Sequence, residues 1–466
     1  MSRLVATVAR APASRLEPRR RAVAPSPGST SPAGGFHVVV VDVDPSRPRP
    51  PPPPPRSSRR SVGAARGRCG RTPTTATASM REDSFDLGSY DPEMDGYEPP
   101  EVSVKDVAKG ERIGEGSFAV VFAGTVAGVG DVVLKQYRRD VRGRDWFSFY
   151  ADERAMCRRL RDRPGVAPFV GVAGSDLYLV WRDVGKRTLA NVMEEARTRA
   201  AGKSGDVLHD ALTLAASEMG LTTAGKEGGS TAAGEEGGLT DSEVFVAVAR
   251  GLIEAVVSIN DADVVHRDVK PDNVLLTSPE KGSPGGARVL MVDLGGAADY
   301  QTGQGTDGSE AIFDPTYGAP EQFKRVKNRS RSVAGMFAGF GTNRDVDVSG
   351  IGDLEATGAA PTAAFDAFGV GLTLLRLATP ALHPATSMKL ARSAMDEAAD
   401  RVSEREGKGD EGGSVLDEWA SGPGSGSCDF GLLDELGAWS LLEGLTQWDP
   451  DRRMTLEEAL RHPSLN

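Results

Sequence analysis

Residues 264–276 have the sequence V-V-H-R-D-V-K-P-D-N-V-L-L, a polar loop between two apolar segments. Phosphoryl transfer uses a carboxylate that orients the attacking hydroxyl, a lysine that neutralises the transferred group and an asparagine oxygen that ligates magnesium. Asp268, Lys270 and Asn273 fit these three roles. The alternative interpretation is a charged surface turn between two strands, and the surrounding sequence has to decide between the two.

The composition limits the class of protein. With 466 residues and 39% apolar content, the chain is long enough to bury a large core. Cys69, Cys157 and Cys428 are too few for a disulfide framework and lack zinc-site spacing, so we expect a reducing compartment. No run of eighteen apolar residues occurs, and no membrane-spanning helix is predicted.

The charge of the chain is unevenly distributed. Residues 1–80 hold fourteen arginines, no lysine and three acids, a net charge of +11 in a chain whose total is −11. The remainder therefore carries −22, and such an acidic body is not expected to bind nucleic acid. An arginine-rich, acid-poor N-terminus is typical of an organellar transit peptide. The alternative is a disordered arm that stays attached and binds an SH3-like partner through the prolines at 50–55.

The folded body is expected to begin near residue 102, after an acidic linker at 81–101. Three stretches rich in small and polar residues are predicted to be flexible insertions, at about 199–240, 325–361 and 400–428. After the first insertion, Asp241 is the predicted N-cap of a helix that leads into the polar loop.

Residues 113–122, I-G-E-G-S-F-A-V-V-F, predict a strand, a tight glycine turn and a second strand. The pattern is G-x-G-x-x-G-x-V, except that alanine replaces the third glycine. Glycine lets backbone amides approach a phosphate without a Cβ in the way, although a plain β-hairpin gives the same pattern. The predicted nucleotide-binding residues here are Ile113, Gly114, Glu115, Gly116, Ser117, Ala119 and Val121.

The next apolar strand, residues 132–135, ends in Lys135. A lysine on a buried strand needs an acidic partner. Helical periodicity from Trp146 to Leu160 places two acids near the middle of the following helix. We predict Glu153 as the partner because its side chain is the longer one, and Asp152 remains the alternative.

A second acid follows the polar loop. Residues 287–292 predict an apolar strand that ends at Asp293, and Leu294 and Gly295 come next. An acid at a strand end before a glycine suits a magnesium ligand. An ordinary turn would explain D-x-G by itself. Its position after the Asp268 loop favours the ligand.

This ordered set of motifs resembles the eukaryotic-type serine/threonine protein kinases, in which a lysine two residues after the loop aspartate is typical. The resemblance implies an α+β, bilobal fold over residues 102–466, with a small β-rich N-terminal lobe holding one main helix and a larger, mainly helical C-terminal lobe. It also implies ATP, Mg²⁺ and protein substrates. The implied catalytic residues are Asp268, Lys270, Lys135 and Glu153, the metal ligands Asn273 and Asp293, and the structural residues Arg267, Glu321, Asp366 and Arg453.

More narrowly, the sequence resembles the state-transition kinases of plant and algal thylakoids, through residues 130–135, 293–299, 314–322 and 365–372. This implies a chloroplast protein of the stroma or thylakoid surface, with thylakoid or stromal protein substrates and at most peripheral membrane association. That family carries a membrane span and a regulatory cysteine pair ahead of the kinase domain, and neither pattern occurs here. A pseudokinase scaffold and a small-molecule kinase are the alternative functions.

Arg267 beside Asp268 indicates regulation. In kinases such a cation usually needs an anion from the activation segment, which corresponds here to residues 293–321. Phosphate on a hydroxyl and a fixed carboxylate are both possible sources. Asp314 also stands where many kinases carry a threonine, so the assignment of serine or threonine substrates is weaker than Lys270 alone suggests. The candidate anion sources are Thr302, Thr306 and Ser309 for phosphate, and Asp307 and Glu310 for fixed charge.

Overall fold

The computed structural model describes residues 101–102, 106–115, 119–138, 146–173, 178–185, 187–200, 206–224, 238–306, 314–325, 354–409, 413–426 and 428–466. Residues 1–80 and nearly all of the linker at 81–101 lie outside these ranges. The transit-peptide and linker predictions therefore remain predictions. Five of the predicted site or regulatory residues also lie outside the described residues: Gly116, Ser117, Asp307, Ser309 and Glu310.

The N-terminal lobe is a sheet with one helix beside it within the described residues. Its elements are β1 (Glu101–Val102), β2 (Val107–Glu115), β3 (Ala119–Val126), β4 (Gly130–Tyr137), α1 (Trp146–Arg159), β5 (Phe169–Ala173) and β6 (Tyr178–Arg182). The strand order is β1-β5-β6-β4-β3-β2, and five of the strands are antiparallel neighbours, with β1 added parallel to β5.

Alternation along β4 gives the sheet two different faces. Val132 and Leu134 are fully buried in a small apolar cluster on one face. Because successive side chains of a strand point to opposite faces, Lys135 projects from the other face. Helix α1 covers that face. The alternation of side chains along β4 therefore places Lys135 against α1.

The C-terminal lobe is mainly helical, and short strands join its helices. The first of these elements are β7 (Arg187–Thr188), α2 (Leu189–Ala200), α3 (Val207–Glu218), α4 (Asp241–Asn260), β8 (Val264–Val265), β9 (Val274–Leu276), β10 (Val289–Met291) and β11 (Ala298–Asp299). The rest are β12 (Phe323–Arg325), β13 (Leu354–Ala356), α5 (Ala363–Ala378), α6 (Ala385–Glu406), α7 (Val415–Ala420), α8 (Gly431–Glu435), α9 (Trp439–Leu445) and α10 (Leu456–Leu460). The predicted α+β class and two-lobed organisation are confirmed.

Helix α4 carries the chain to the polar loop. Its N-cap is Thr240 rather than the predicted Asp241, since Thr240 Oγ1 accepts from the Glu243 amide and the Glu243 carboxylate accepts from the Thr240 amide. Its apolar side, formed by Val244, Val248, Leu252 and Ala255, is buried, because residues three and four apart share one helix face. The helix leads directly into β8 and a loop whose residues are largely buried.

Parts of the predicted flexible insertions are ordered elements of the lobe. Within 199–240, α3 buries six side chains, Leu208, Ala211, Leu212, Leu214, Ala215 and Ala216. Within 400–428, α6 continues to Glu406, and α7 buries Trp419. Within 325–361, β13 pairs with β12. For these parts the insertion prediction is wrong. Their high content of small residues resembles a linker, but in the helices the apolar side chains recur on one face and pack into the lobe.

His383 follows α5 and is 1% exposed, and its Nε2 donates to the carbonyl of Leu377 at 3.1 Å. Burial lowers the pKa of His383 to about 4. The folded protein therefore keeps His383 neutral while the unfolded chain takes up a proton as the pH falls below about 6.5. Stability that is present above that pH is lost as the pH falls toward 4, by up to about 3 kcal/mol.

We expect His383→Gln to flatten this dependence. Urea unfolding at several values between pH 7.5 and 4.5 measures it, with His462→Gln at a half-exposed position as the matched control. Identical pH slopes in the wild type and in His383→Gln would contradict the assignment.

Candidate active site

The polar loop between β8 and β9 is held by one carboxylate of α5. Asp366 is 1% exposed, and its Oδ2 accepts from the His266 amide at 2.8 Å and from Asn260 Nδ2 at 2.9 Å. Its Oδ1 accepts from the Arg267 amide at 2.8 Å. Arg267 has φ of 68°, a conformation that L-residues seldom adopt. The carboxylate thus fixes a strained turn directly before Asp268.

Asp268 has neighbours on both carboxylate oxygens. Oδ2 accepts from Lys270 Nζ at 2.7 Å and from Asn273 Nδ2 at 2.9 Å, while Oδ1 lies 3.3 Å from the amide of Asp314. Burial lowers the pKa of Lys270, but the charges of Asp268 and Asp314 outweigh it and raise the pKa overall. The lysine therefore stays protonated. These contacts orient the Asp268 carboxylate with a cation at its side.

Lys135 joins two acids from different elements. Its Nζ lies 2.8 Å from Glu153 Oε1 on α1 and 2.8 Å from Asp293 Oδ1. Glu153 is fully buried and Asp293 is 48% exposed. Of the two acids considered for the lysine, Glu153 makes this contact.

The charges in this group depend on one another. Burial raises the pKa of Glu153, and Lys135 opposes the rise. Burial also raises the pKa of Asp293, but the Lys135 ammonium outweighs it and lowers that pKa to about 2. The pKa of Lys135 is raised, because the two acids outweigh burial. Asp293 is thus an ionised, solvent-accessible carboxylate beside a charged lysine.

The nucleotide-loop residues line up with Lys135 across three strands. Gly114 on β2 pairs with Val121 on β3, and Val121 pairs with Lys135 on β4. Ile113 is 52% exposed beside this row, while Ala119 is buried at the start of β3. The remaining described member, Glu115, forms ion pairs with Arg112 and Arg138.

Asn273 and Asp293 flank the same end of the β9–β10 hairpin. The register pairs Val274 with Met291, and the amide of Val292 donates to the carbonyl of Asn273 at 3.0 Å. The side-chain Nδ2 of Asn273 is bonded to Asp268, which leaves its amide oxygen as a ligand atom. A carboxylate and an amide oxygen suit Mg²⁺, which takes few protein ligands when phosphates supply others. No group of three or more His, Cys, Asp or Glu side chains arranged for a metal occurs among the described residues.

An ion pair anchors the C-terminal end of the segment from Asp314 to Glu321. Glu321 and Arg453 form a bidentate ion pair, with N–O distances of 2.7 and 3.0 Å, and Arg453 also donates to the carbonyl of Ala364. The kinase resemblance had implied that both residues are structural.

Two buried arginines in the same region were missed by the sequence reasoning. Arg376 on α5 donates to Tyr317 Oη at 2.7 Å, and Arg392 on α6 donates to the carbonyl of Gly318 at 2.8 Å. The signal was an arginine within an otherwise apolar helix face.

Tyr137 is a further residue that the sequence reasoning missed. Its hydroxyl donates to Glu153 Oε2, the oxygen that Lys135 does not contact. Burial and the Glu153 carboxylate raise the pKa of Tyr137 well above its ordinary value, so the phenol keeps its proton. The available signal was its position two residues after Lys135, on the same face of β4.

Arg267 contacts the backbone of the segment that follows β11. Its Nη1 donates to the carbonyl of Gly305 at 2.8 Å. Gly305 has φ of +69°, and a Cβ there would lie 2.9 Å from the carbonyl oxygen of Ala297, so the turn needs glycine. Of the suggested phosphate acceptors, Thr302 is exposed, and Thr306 donates its hydroxyl to the carbonyl of Gly303 at 3.0 Å.

Residues 107–338 match the family model described as protein kinase domain. The chain carries a protein kinase domain. Among curated proteins it is similar to the chloroplast serine/threonine-protein kinase STN7 of Arabidopsis thaliana, with 24% identity over 383 residues that cover 77% of this chain and 57% of STN7. It is 25% identical to STN8 of the same plant over 318 residues, which cover 60% of this chain and 56% of STN8.

The chain thus spans a little over half the length of these relatives. Among solved structures, it is similar to a crystal structure of a Stt7 homolog from Micromonas algae soaked with ATP. The TM-score is 0.52 at 20% identity, covering 78% of this chain and 94% of that chain, and this likeness shows the fold. The predicted resemblance is confirmed as distant homology to the chloroplast kinases STN7 and STN8. Within the part of the chain that the structure describes, no helix is long and apolar enough to cross a membrane.

Proposed function

We propose that this chain is a serine/threonine protein kinase that transfers the γ-phosphate of ATP to hydroxyl groups of protein substrates. The observation that carries the proposal is the set of contacts around Asp268, whose carboxylate is oriented by Lys270 and Asn273 in a loop fixed by Asp366. A held carboxylate beside a buried cation is what an incoming hydroxyl and a transferring phosphoryl group require.

The roles of the residues follow from these positions. Asp268 orients the substrate hydroxyl and accepts its proton as the oxygen attacks phosphorus. Lys270 offsets the negative charge that builds up on the transferred group. Lys135, positioned by Glu153, binds the α- and β-phosphates. Asp293 and Asn273 would hold Mg²⁺, which neutralises phosphate charge when bound. Most of the rate enhancement then comes from positioning and charge neutralisation.

The proposed preference for serine or threonine as the phosphate acceptor rests on Lys270. The conformation of Asp314 also bears on it. The Asp314 carboxylate accepts from the Thr316 amide at 2.9 Å, so it folds back onto its own turn and leaves its amide to Asp268. Backbone thus faces Asp268 at the position where many kinases present a threonine hydroxyl. The segment that continues to Glu321 builds a surface for a peptide, which favours a protein substrate over a small molecule.

We also propose a chloroplast location, on the stromal side or the thylakoid surface, with thylakoid or stromal proteins as substrates. Support comes from the arginine-rich, acid-poor composition of residues 1–80 and from the chloroplast names of the two Arabidopsis relatives.

The test of the activity is phosphate transfer from labelled ATP by the purified full chain, with Mg²⁺ or with EDTA. We expect autophosphorylation on serine and threonine that stops on chelation and returns when Mg²⁺ is restored. Asp293→Asn should need a higher Mg²⁺ concentration, because an amide binds the ion more weakly than a carboxylate. Asp261→Asn, an exposed position outside the site, is the matched control. Nucleotide binding without transfer at any Mg²⁺ concentration would instead indicate a pseudokinase.

A further inference from the structure

Tyr137 connects three elements at the centre of the N-terminal lobe. It ends β4, is 6% exposed, and its ring packs edge-on against Tyr150 of α1 with centroids 6.3 Å apart. Its hydroxyl also reaches the turn after β10, because a Cβ at Gly295 would lie only 3.4 Å from Tyr137 Oη. The phenol therefore lies where β4, α1 and the Asp293 turn meet.

The Glu153 carboxylate consequently has a different donor on each oxygen. Lys135 Nζ lies 2.8 Å from Oε1, and the Tyr137 hydroxyl donates to Oε2. A glutamate has three side-chain torsions, and a single contact to a flexible lysine leaves the plane of the carboxylate free to rotate. A second donor from a rigid phenol fixes that plane, since hydrogen bonds to a charged acceptor are strong and directional.

We propose that Tyr137 is a positioning residue of the phosphoryl-transfer site, whose hydroxyl holds Glu153 in the orientation that presents Oε1 to Lys135. The inference rests on the proposed function and adds a residue that lies outside the motifs of the chain. Tyr137 does not touch substrate in this scheme. It acts through Glu153, and Glu153 acts through Lys135.

Tyr137→Phe removes the hydroxyl and keeps the ring, so it tests the hydroxyl alone. The ring contact with Tyr150 is kept, while Oε2 of a fully buried carboxylate loses its donor. We expect kcat/KM for ATP to fall roughly 10- to 100-fold while the protein stays folded. The matched control is Tyr150→Phe, which makes the same change on the neighbouring buried ring, outside the contacts between Tyr137, Glu153 and Lys135. It should stay near wild-type activity.

A double-mutant cycle distinguishes positioning from a general structural role. In a Glu153→Gln background, adding Tyr137→Phe should change kcat/KM by less than about threefold, because the carboxylate through which Tyr137 acts is already gone. Effects of the two substitutions that simply multiply would overturn the proposal, and so would wild-type kinetics for Tyr137→Phe.

The same four proteins are titrated with a fluorescent ATP analogue, which gives a readout independent of transfer. The affinity cycle should show the same non-additivity as the rates. A wild type that binds the analogue but transfers no phosphate would refute the proposed activity, and the affinity cycle would still decide the role of Tyr137. Additive affinities would refute that role even in an active kinase.

Discussion

Asp268→Asn is expected to reduce phosphate transfer by about 10²–10⁴-fold while the protein stays folded. The amide has the shape of the carboxylate and can still contact Lys270 and Asn273, but it cannot accept the proton of the substrate hydroxyl. It also removes the negative charge beside Lys270. The expected loss is therefore in kcat, with ATP affinity nearly unchanged.

The measurement is steady-state transfer to a protein substrate together with binding of the ATP analogue. Asp261→Asn makes the same chemical change seven residues earlier, at the exposed end of α4, and serves as the matched control. Transfer above a tenth of the wild-type rate in Asp268→Asn would remove Asp268 from the mechanism.

Asp366→Asn is expected to affect stability and activity together. The Asp366 carboxylate accepts three hydrogen bonds, two of them from the backbone of the catalytic loop. An amide group turns one acceptor oxygen into a donor, which would face another donor inside the core. We expect the free energy of unfolding to fall by about 2–4 kcal/mol, and transfer to weaken as the Arg267 turn relaxes.

Thermal and urea unfolding measure this loss, and Thr373→Val on the same helix is the control. Thr373 is fully buried, and its hydroxyl has no partner among the described residues, so its removal should be neutral or stabilising. Equal stability of Asp366→Asn and Thr373→Val would show that the loop does not depend on this carboxylate.

The motif residues were predictable from sequence because their chemistry forces them together. A lysine on a buried apolar strand needs an acidic partner, and the sequence left two candidates for that partner, Asp152 and Glu153. Strand alternation and helix periodicity then placed Lys135 opposite α1. The same local rules predicted the strand before Asp293 and the helix before the polar loop.

What the sequence did not reveal depends on contacts between distant elements. Tyr137 looks like an ordinary core aromatic until α1 is packed against β4 and the Asp293 turn approaches from the other lobe. Helix α3 was missed because the leucines and alanines that pack against α2 and α4 lie in a segment whose overall composition of small and polar residues resembles a linker. Composition reports the average polarity of a segment, whereas packing depends on which positions share a face.

The ledge formed by residues 314–321 is a loop in appearance only. Arg392 of α6 donates to carbonyls of the ledge and lies about 5 Å from the rings of Phe368 and Trp448. Arg376 of α5 donates to the hydroxyl of Tyr317. Surface loops usually vary freely among related proteins. This one shares its anchors with the hydrophobic core, so its mutational tolerance is that of a core. Under the proposed function, new substrate preferences would have to arise at the exposed edges around the ledge, because changes within it would also destabilise the fold.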